Sequence, residues 1–192
     1  MSCSTQEERR SALVPSRSID KAARFDLVDV RSAVPGIAVD LRYGTRQNVT
    51  KSRLYPSHMP CLLRRSTALK LKAAHDILSA QGFGIRVWDA YRPPEVQRML
   101  HDHGHRTGMF LSPEIGWSRH CAGIAVDATM VNRWGQEVRM PSYFDEGLER
   151  ASTSYKGSDP QVRRNLETFH KAMRQAGFVP LEAEWWHFDD DD

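Results

Sequence analysis

The stretch GIAVDATM, residues 123–130, is an apolar run that predicts a strand buried within a sheet. Gly123 at its start marks a point where the backbone can bend. The letters GIAVD occur a second time at residues 36–40, but the sequences around the two copies share nothing. We interpret the two copies as a coincidence between two strands rather than an internal repeat, so Asp40 is not expected to share the role of Asp127.

Outward from this strand, helical and extended patterns follow one another irregularly. Strands are predicted at residues 35–44, 83–91, 123–130 and 184–189, and helices at residues 66–80, at residues 94–103 and from the N-cap Asp159 to the stop at Gly177. These elements do not repeat as βαβ units. The sequence therefore predicts an α+β fold, a single domain with a mostly antiparallel central sheet and flanking helices.

The N-terminal segment differs in character from the rest of the chain. Residues 1–24 are polar, carry mixed charges and show no periodicity, so we expect a loosely ordered N-terminal arm. Residues 25–192 then form the domain, which is long enough for one substantial core.

Charge and hydropathy exclude several classes of partner. The net charge is only +3, the 27 basic residues form no block, and no apolar run approaches 18 residues. We therefore expect neither nucleic acid nor a membrane as a partner. Three widely spaced cysteines argue for a reducing compartment, and the polar N-terminus lacks a secretory signal. The expected location is cytoplasmic, or periplasmic if a signal sequence has been removed.

Two short segments carry the residues for a metal site. The segment 118–127 contains His120 and Asp127, and EWWH near the C-terminus contains Glu184 and His187. Two imidazoles and a carboxylate form the three-ligand set that catalytic zinc uses, with one position open for water. A carboxylate that does not bind the metal, here Glu184, can then act as the general base.

The spacing of these residues sets requirements on the backbone. His120 and Asp127 are seven residues apart, so on one regular strand they would face opposite ways, and a bend at Gly123 is needed to bring them together. Glu184 and His187 are three apart and converge only in a turn, so we expect the last strand to begin after Glu184.

A third element is WDAYRP, residues 88–93. Arg92 follows a β-rich run and is held by the next two prolines, so its guanidinium can donate two hydrogen bonds to an oxyanion or a carboxylate. A surface arginine paired with Asp89 would give the same pattern.

Several alternatives remain at this point. The histidines of HDHGH (101–105) could bind metal, although a solvated surface at a helix end explains them more simply. Cys121, next to His120, could be a nucleophile, but adjacent residues seldom face each other. A non-catalytic zinc-binding module could use the same ligands, although it would need neither Glu184 nor Arg92.

The chain resembles the zinc D-alanyl-D-alanine dipeptidases of the VanX type. SRHCAGIAVD (118–127) matches the pattern S-x-H-x-x-G-x-A-x-D, and EWWHF matches a pattern of the E-x-W-H type. The similarity extends from about residue 40, through DAYRP, to the C-terminus. It implies hydrolysis of the D-alanyl-D-alanine dipeptide to free D-alanine, with water attacking the peptide carbonyl.

The resemblance also implies a role for individual residues. It implies one Zn²⁺ per chain, bound by His120, Asp127 and His187. It implies that Glu184 is the general base and that Arg92 stabilises the oxyanion. Substrate contacts are implied for Ser118 and Asp145, and support of the pocket for Asp89 and Tyr55. Asp145 is expected on the side that binds the free amino group. That role favours a dipeptidase over the related D,D-carboxypeptidases and endopeptidases, which act on longer peptidoglycan peptides.

The sequence departs from the family pattern at positions that affect the substrate. Val49 replaces an aromatic residue, Lys51 stands where glycine is usual, and the stretch between Arg92 and Ser118 is shorter. These departures bear on the dipeptide preference rather than on the chemistry.

The C-terminal segment EAEWWHFDDDD (182–192) is expected to have two parts. The aromatic residues Trp185, Trp186 and Phe188 should anchor Glu184 and His187. The last three aspartates, residues 190–192, are expected to be a solvated tail that can be deleted without loss of activity.

Overall fold

The computed structural model describes residues 24–104 and 110–192. The strands are β1 Leu27–Asp29, β2 Ala38–Val39, β3 Leu62–Arg64, β4 Phe83–Asp89, β5 Ala125–Asn132, β6 Phe178–Pro180 and β7 His187–Asp190. The helices are α1 Val30–Ala33, α2 Arg65–Ser79, α3 Pro94–Gly104, α4 Leu148–Ala151 and α5 Pro160–Gln175. The expected N-terminal arm, apart from Arg24, lies outside the described residues.

Five strands form the central sheet in the order β2-β4-β5-β7-β6, and β1 pairs with β3 in a small antiparallel sheet. All pairs in the central sheet are antiparallel except β2 with β4, which is parallel. A parallel pair needs a long crossover, and here the chain between β2 and β4 includes β3 and α2. The predicted α+β fold with a mostly antiparallel sheet is confirmed.

The core lies between one face of this sheet and the helices α2 and α5. Strand β5 contributes Val126, Ala128 and Met130 to it, at alternate positions along the strand. Asp127, between two of these residues, therefore projects from the opposite face. The face of β5 that carries Val126, Ala128 and Met130 is thus apolar, and the opposite face carries a carboxylate.

Helix α5 forms as its sequence signals predict. The side chain of Asp159 accepts hydrogen bonds from the backbone of Gln161 and Val162, and Pro160 occupies the first turn. After the helix, Gly177 adopts a positive φ of 91° and reverses the chain into β6.

The strand predicted at residues 35–44 was too long. Only Ala38–Val39 pair with β4, and the chain then turns through a 3₁₀ segment at Arg42–Gly44. The turn buries Tyr43 in the core, and its carbonyl accepts hydrogen bonds from the backbone of Leu54 and Tyr55. Burial of this aromatic ring therefore ends the strand early.

None of the helices in the described part of the chain has both the length and the hydropathy that a bilayer-spanning segment requires.

Candidate active site

The register of three neighbouring strands places three residues of the candidate site side by side. Asp89 on β4 pairs with Asp127 on β5, and Asp127 pairs in turn with His187 on β7. His120 lies in a 3₁₀ turn at Arg119–Ala122 just before β5. Gly123 ends this turn with a φ of 71°, which supplies the bend that the spacing of His120 and Asp127 requires.

The three predicted metal ligands converge on one point. His120 Nε2 lies 3.2 Å from His187 Nδ1 and 3.2 Å from Asp127 Oδ1, and His187 Nδ1 lies 2.9 Å from the same oxygen. All three residues are buried. Ligand atoms around a tetrahedral zinc ion, bound at 2.0–2.1 Å, lie about 3.3 Å apart. The observed triangle therefore has the size that a zinc ion needs.

The outer nitrogens of both imidazoles are hydrogen-bonded to acceptors. His120 Nδ1 lies 2.7 Å from the carbonyl oxygen of Ala90, and His187 Nε2 lies 3.0 Å from Asp189 Oδ1. A neutral imidazole carries one proton, and in the tautomer with that proton on the outer nitrogen these acceptors receive it. The inner nitrogens then direct lone pairs at each other and at the Asp127 carboxylate, an arrangement that a cation stabilises.

The charge balance of the cluster supports the same conclusion. Burial lowers the pKa of His187, but the Asp127 and Asp189 carboxylates outweigh it and raise that pKa to about 10. Burial alone would raise the pKa of Asp127, but the two histidines have the larger, opposite effect. They hold the pKa of Asp127 well below its usual range. Without a metal, the site therefore attracts protons to the position where a cation would bind.

Glu184 lies in the turn before β7, as its spacing from His187 predicts. Its backbone N–H donates to Leu181, and its carbonyl accepts from the N–H of His187, the first residue of the strand. The side chain is partly buried and lines the same cleft as the metal ligands. Burial raises the pKa of Glu184 to about 7, with His187 acting in the opposite direction.

The aromatic residues beside Glu184 hold this turn in the core. Trp185, Trp186 and Phe188 are almost completely buried. The carbonyl of Trp185 lies 2.7 Å from Nε2 of the buried His170 on α5, and its indole N–H donates to Ser142. The predicted anchoring role is consistent with these contacts.

Arg92 is buried beside the metal ligands. Its Nε and Nη2 lie 2.9 Å from Asp89 Oδ2, its Nη1 donates to Gln97 at 2.7 Å, and Nη2 lies 3.6 Å from Asp127 Oδ2. Tyr43 stacks against the guanidinium at 5.0 Å. These contacts fix the plane of the guanidinium, and Arg92 lines the cleft.

Asp89 and Tyr55 support Arg92 from behind. Asp89 is completely buried, and its second carboxylate oxygen accepts a hydrogen bond of 2.6 Å from the Tyr55 hydroxyl. Neither residue lines the cleft. Asp89 contacts both Arg92 and Tyr55, so it links the Tyr55 hydroxyl to the guanidinium.

Asp145 lines the cleft on a loop with a strained backbone. Its φ is 57°, in the left-handed region that non-glycine residues seldom adopt. The carboxylate accepts from the backbone N–H of Val49 at 3.2 Å and from the Tyr43 hydroxyl at 3.5 Å. Burial raises the pKa of Asp145 to about 7, against the effect of these hydrogen bonds.

The cleft that joins these groups has a volume of about 710 Å³. Its polar wall includes Arg92, Asp145, Glu184 and the three predicted metal ligands, while Leu111, Ile115 and Trp117 form an apolar wall. Ser118 also lines it, but its hydroxyl already accepts from the His120 N–H at 3.4 Å and caps the 3₁₀ turn.

A family model described as D-ala-D-ala dipeptidase, peptidase M15, matches residues 23–192. The chain belongs to this peptidase family. It is 30% identical over 164 residues to a D-alanyl-D-alanine dipeptidase of Escherichia coli, covering 85% of this chain and 84% of that protein. It is 26% identical over 172 residues to a D-alanyl-D-alanine dipeptidase of Enterococcus faecalis, covering 80% of this chain and 85% of that protein.

A third relative, a D-alanyl-D-alanine dipeptidase of Synechocystis, is 28% identical over 179 residues and covers 72% of each chain. Among solved structures, the LdcB LD-carboxypeptidase has a TM-score of 0.49 at 17% identity, covering 86% of this chain and 67% of that one. This last likeness is too distant to bear on function.

Membership of the M15 family makes the chain a peptidase. The structure also gives little support to a cysteine nucleophile or to a metal site at the HDHGH histidines. Burial raises the pKa of the Cys121 thiol to about 11, against the effect of Arg92, so little thiolate is present at neutral pH. Of the HDHGH histidines, His103 is exposed, His101 lines the cleft, and His105 lies outside the described residues. Among the described residues, the only cluster suited to a metal is His120, Asp127 and His187.

The family resemblance offered no account of Lys51, but the backbone does. Lys51 has a φ of 55°, in the left-handed region where glycine is the least strained residue. A glycine at this position would therefore fit the turn without strain.

Four residues of this M15 site escaped the sequence analysis. Two of them contact Arg92: Gln97, which also donates to the carbonyl of Leu111, and Tyr43, which stacks on the guanidinium. The other two are His170, which contacts the Trp185 carbonyl, and Asp189, which contacts His187. Only Asp189 had a local signal, because it follows His187 by two residues and so shares its face of the strand.

The solvated tail predicted at residues 190–192 wrongly includes Asp190. Asp190 belongs to β7 and is 1% exposed. Its carboxylate accepts 2.6 Å hydrogen bonds from Thr67 and Lys70 on α2, and Lys70 also pairs with Asp192. Removing all three aspartates would take away a strand residue and leave Lys70 without these partners, so this deletion is not expected to be harmless.

Proposed function

We propose that this peptidase hydrolyses the D-alanyl-D-alanine dipeptide to two molecules of D-alanine, using one zinc ion held by His120, Asp127 and His187. The observation that carries the proposal is the triangle of two ring nitrogens and one carboxylate oxygen described above, built on two imidazoles whose outer nitrogens lie within hydrogen-bond distance of acceptors. The names of the three relatives support the choice of substrate.

The cation and the protein have separate tasks in this proposal. Zinc, when bound, supplies Lewis-acid polarisation of a carbonyl group and of a water molecule. The buried ligands fix its position and exclude bulk water, which strengthens every electrostatic interaction in the site.

Glu184 moves the proton. With a pKa raised to about 7 by burial, its carboxylate is basic enough to accept a proton from the attacking water at neutral pH. The protonated carboxyl can then donate to the nitrogen of the leaving amine, so one residue serves in both halves of the reaction.

Arg92 stabilises the charge that develops during attack. Negative charge accumulates on the former carbonyl oxygen, and a buried guanidinium fixed by Asp89 and Gln97 presents donors without having to reorganise. Loss of one such donor typically costs about 10²–10³ in rate.

Asp145 supports a dipeptide rather than a longer substrate. Its carboxylate is buried in the cleft wall, where the desolvation that raises its pKa is relieved if a substrate ammonium group binds beside it. An acylated amino group carries no charge and would leave Asp145 without a cationic partner. The free amino terminus is therefore the recognised feature.

The deciding experiment is a comparison of two substrates with the zinc-loaded protein. We expect release of D-alanine from D-Ala-D-Ala and little from N-acetyl-D-Ala-D-Ala. Cleavage of the acetylated compound alone would favour a D,D-carboxypeptidase or endopeptidase. An enzyme that stays fully active after exhaustive chelation would contradict the zinc proposal.

Glu184→Gln tests the role of the base separately from metal binding. We expect bound zinc to remain at one ion per chain while hydrolysis falls by about 10²–10⁴, the usual contribution of general acid–base catalysis. Glu182→Gln, an exposed position two residues away, is the matched control and should behave as the wild type.

A further inference from the structure

A carboxylate outside the predicted ligand set holds one of the two metal-binding imidazoles. Asp189 Oδ1 lies 3.0 Å from His187 Nε2, on the side of the ring away from His120 and Asp127. Asp189 is two residues beyond His187 in β7, so both side chains leave the same face of the strand. Its side chain is 21% exposed, because it lies at the wall of the cleft.

Each ring nitrogen of His187 faces a carboxylate oxygen, Nε2 that of Asp189 and Nδ1 that of Asp127. A cation bound at Nδ1 requires a lone pair there, and Asp189 is then the acceptor for the proton that His187 keeps on Nε2. Without Asp189, the ring could place its proton on Nδ1 and donate it to Asp127 Oδ1, which lies only 2.9 Å away. That tautomer would block the metal position.

Asp189 is itself held by an arginine from the other half of the site. Arg119 Nε lies 3.6 Å from Asp189 Oδ2, its Nη1 donates to the carbonyl of Asp190 at 3.1 Å, and its Nη2 lies 2.7 Å from Asp191 Oδ1. Arg119 immediately precedes His120 in the 3₁₀ turn. One side chain thus ties the turn that carries His120 to the strand that carries His187.

We propose that Asp189, held by Arg119, is a positioning residue that fixes the tautomer and orientation of His187 and thereby sets the zinc affinity of the site. The inference rests on the zinc site of the proposed function. It adds to that function a charged pair, Arg119–Asp189, that joins the two segments supplying the ligands.

The other histidine provides an internal contrast. His120 is oriented by the backbone carbonyl of Ala90, which no side-chain substitution removes. His187 depends on a side chain instead. Substitution of Asp189 should therefore weaken metal binding through one ligand only, while the rest of the cluster stays in place.

The test compares Asp189→Leu, which has similar size but no acceptor, with Asp189→Asn, which retains an acceptor oxygen. We expect zinc affinity, measured by competition with a chromogenic chelator, to fall about 10–100-fold in the leucine variant. The asparagine variant should recover most of this loss. Asp191→Asn is the matched control, because Asp191 shares Arg119 with Asp189 but does not contact His187.

A second measurement separates positioning from a structural role. The zinc-induced rise in unfolding temperature should shrink in Asp189→Leu and stay normal in Asp191→Asn. A purely structural role would instead lower the unfolding temperatures of the zinc-free and zinc-loaded forms equally. If the leucine variant does not fold, Asp189→Ser, whose hydroxyl is too short to reach Nε2, takes its place.

The outcomes separate this inference from the proposed function. Wild-type protein that binds no zinc would overturn both. Wild type that binds one zinc ion, with Asp189→Leu binding within twofold of it, would overturn the positioning role alone. An equal loss of affinity in Asp189→Leu and Asp191→Asn would also overturn it, because the effect would then come from Arg119 and not from His187.

Discussion

Residues 36–40 and 123–127 have the same sequence, GIAVD, and they lie on opposite sides of strand β4. In both copies the glycine has a positive φ, 83° and 71°, and the strand begins two residues later. The local conformations are therefore alike. The first copy forms the two-residue edge strand β2, whereas the second begins the eight-residue β5 between β4 and β7.

The carboxylates of the two copies have different surroundings. The Asp40 side chain is 37% exposed and lies 3.3 Å from Arg42, whereas the Asp127 side chain is 3% exposed and meets two imidazoles. Identical local sequence thus gives a partly exposed ion pair in one case and a candidate metal ligand in the other. The neighbouring strands decide the outcome, and four pairs of matched substitutions or measurements can test this comparison.

The largest difference is expected between Asp127→Asn and Asp40→Asn. Loss of the Asp127 carboxylate removes a ligand, so zinc affinity and hydrolysis of D-Ala-D-Ala should fall by more than the 10–100-fold typical of an outer-shell change. Asp40→Asn should leave both unchanged, because Asp40 belongs neither to the cleft nor to the candidate metal cluster. Metal analysis and steady-state kinetics check this, and equal effects at the two positions would contradict it.

The glycines provide the next comparison, Gly123→Ala with Gly36→Ala. A Cβ at residue 123 would lie 2.5 Å from Leu27 Cδ2, whereas at residue 36 the nearest atom, His75 Nε2, would be at 3.7 Å. In both variants an alanine must adopt a left-handed backbone conformation, which lowers the free energy of unfolding by about 1–2 kcal/mol. Overpacking adds about 1–3 kcal/mol and should raise the total at residue 123 to about 2–5 kcal/mol.

Chemical denaturation measures these two free energies of unfolding. If Gly36→Ala were as destabilising as Gly123→Ala, the contact with Leu27 would not be the reason that residue 123 must be glycine.

The alanines of the two copies should differ by less. Ala125 is completely buried in the central sheet, and Ala38 is partly exposed on the edge strand. Ala125→Val should therefore destabilise the protein by about 1–3 kcal/mol through overpacking. Ala38→Val should change the free energy of unfolding by no more than about 0.5 kcal/mol. Thermal unfolding of both variants under the same conditions provides the measurement.

The smallest effect concerns pH. Burial raises the pKa of Glu184 to about 7, and a protonated carboxyl cannot accept a proton from water. Values of kcat/KM should therefore fall up to tenfold per pH unit on the acid side, beginning at or below pH 7 because a bound dication lowers this pKa. Wild type and Asp40→Asn should give the same profile. A flat wild-type profile between pH 5 and 8 would argue against Glu184 as the base.

Local sequence was sufficient for several parts of the fold and the candidate site. Asp159 and Gly177 correctly predicted the two ends of helix α5, because capping and chain reversal depend on residues within one turn. The need for a bend at Gly123 followed from the two-residue period of a strand. The four residues proposed as ligands and base were identified from residue types whose chemistry is intrinsic.

Other features depended on contacts between residues far apart in the chain. Asp190 was expected in a solvated tail, yet Thr67 and Lys70, more than 100 residues earlier, bury its carboxylate. The early end of β2 depends on where Tyr43 packs. Such partners leave no local pattern, because burial of a charge or ring is favourable only once its neighbours are in place.

By itself, the sequence determined which groups could do chemistry: two histidines, an aspartate and a glutamate at spacings that a bend and a turn can bring together. Only the tertiary structure showed why two identical GIAVD segments differ, because it places Asp127 against two imidazoles and Asp40 beside Arg42, and it also revealed Asp189 behind His187. The physical reason is that backbone preference acts within a few residues. Strand register and charge pairing, by contrast, act across the sheet and set the distances on which metal binding depends.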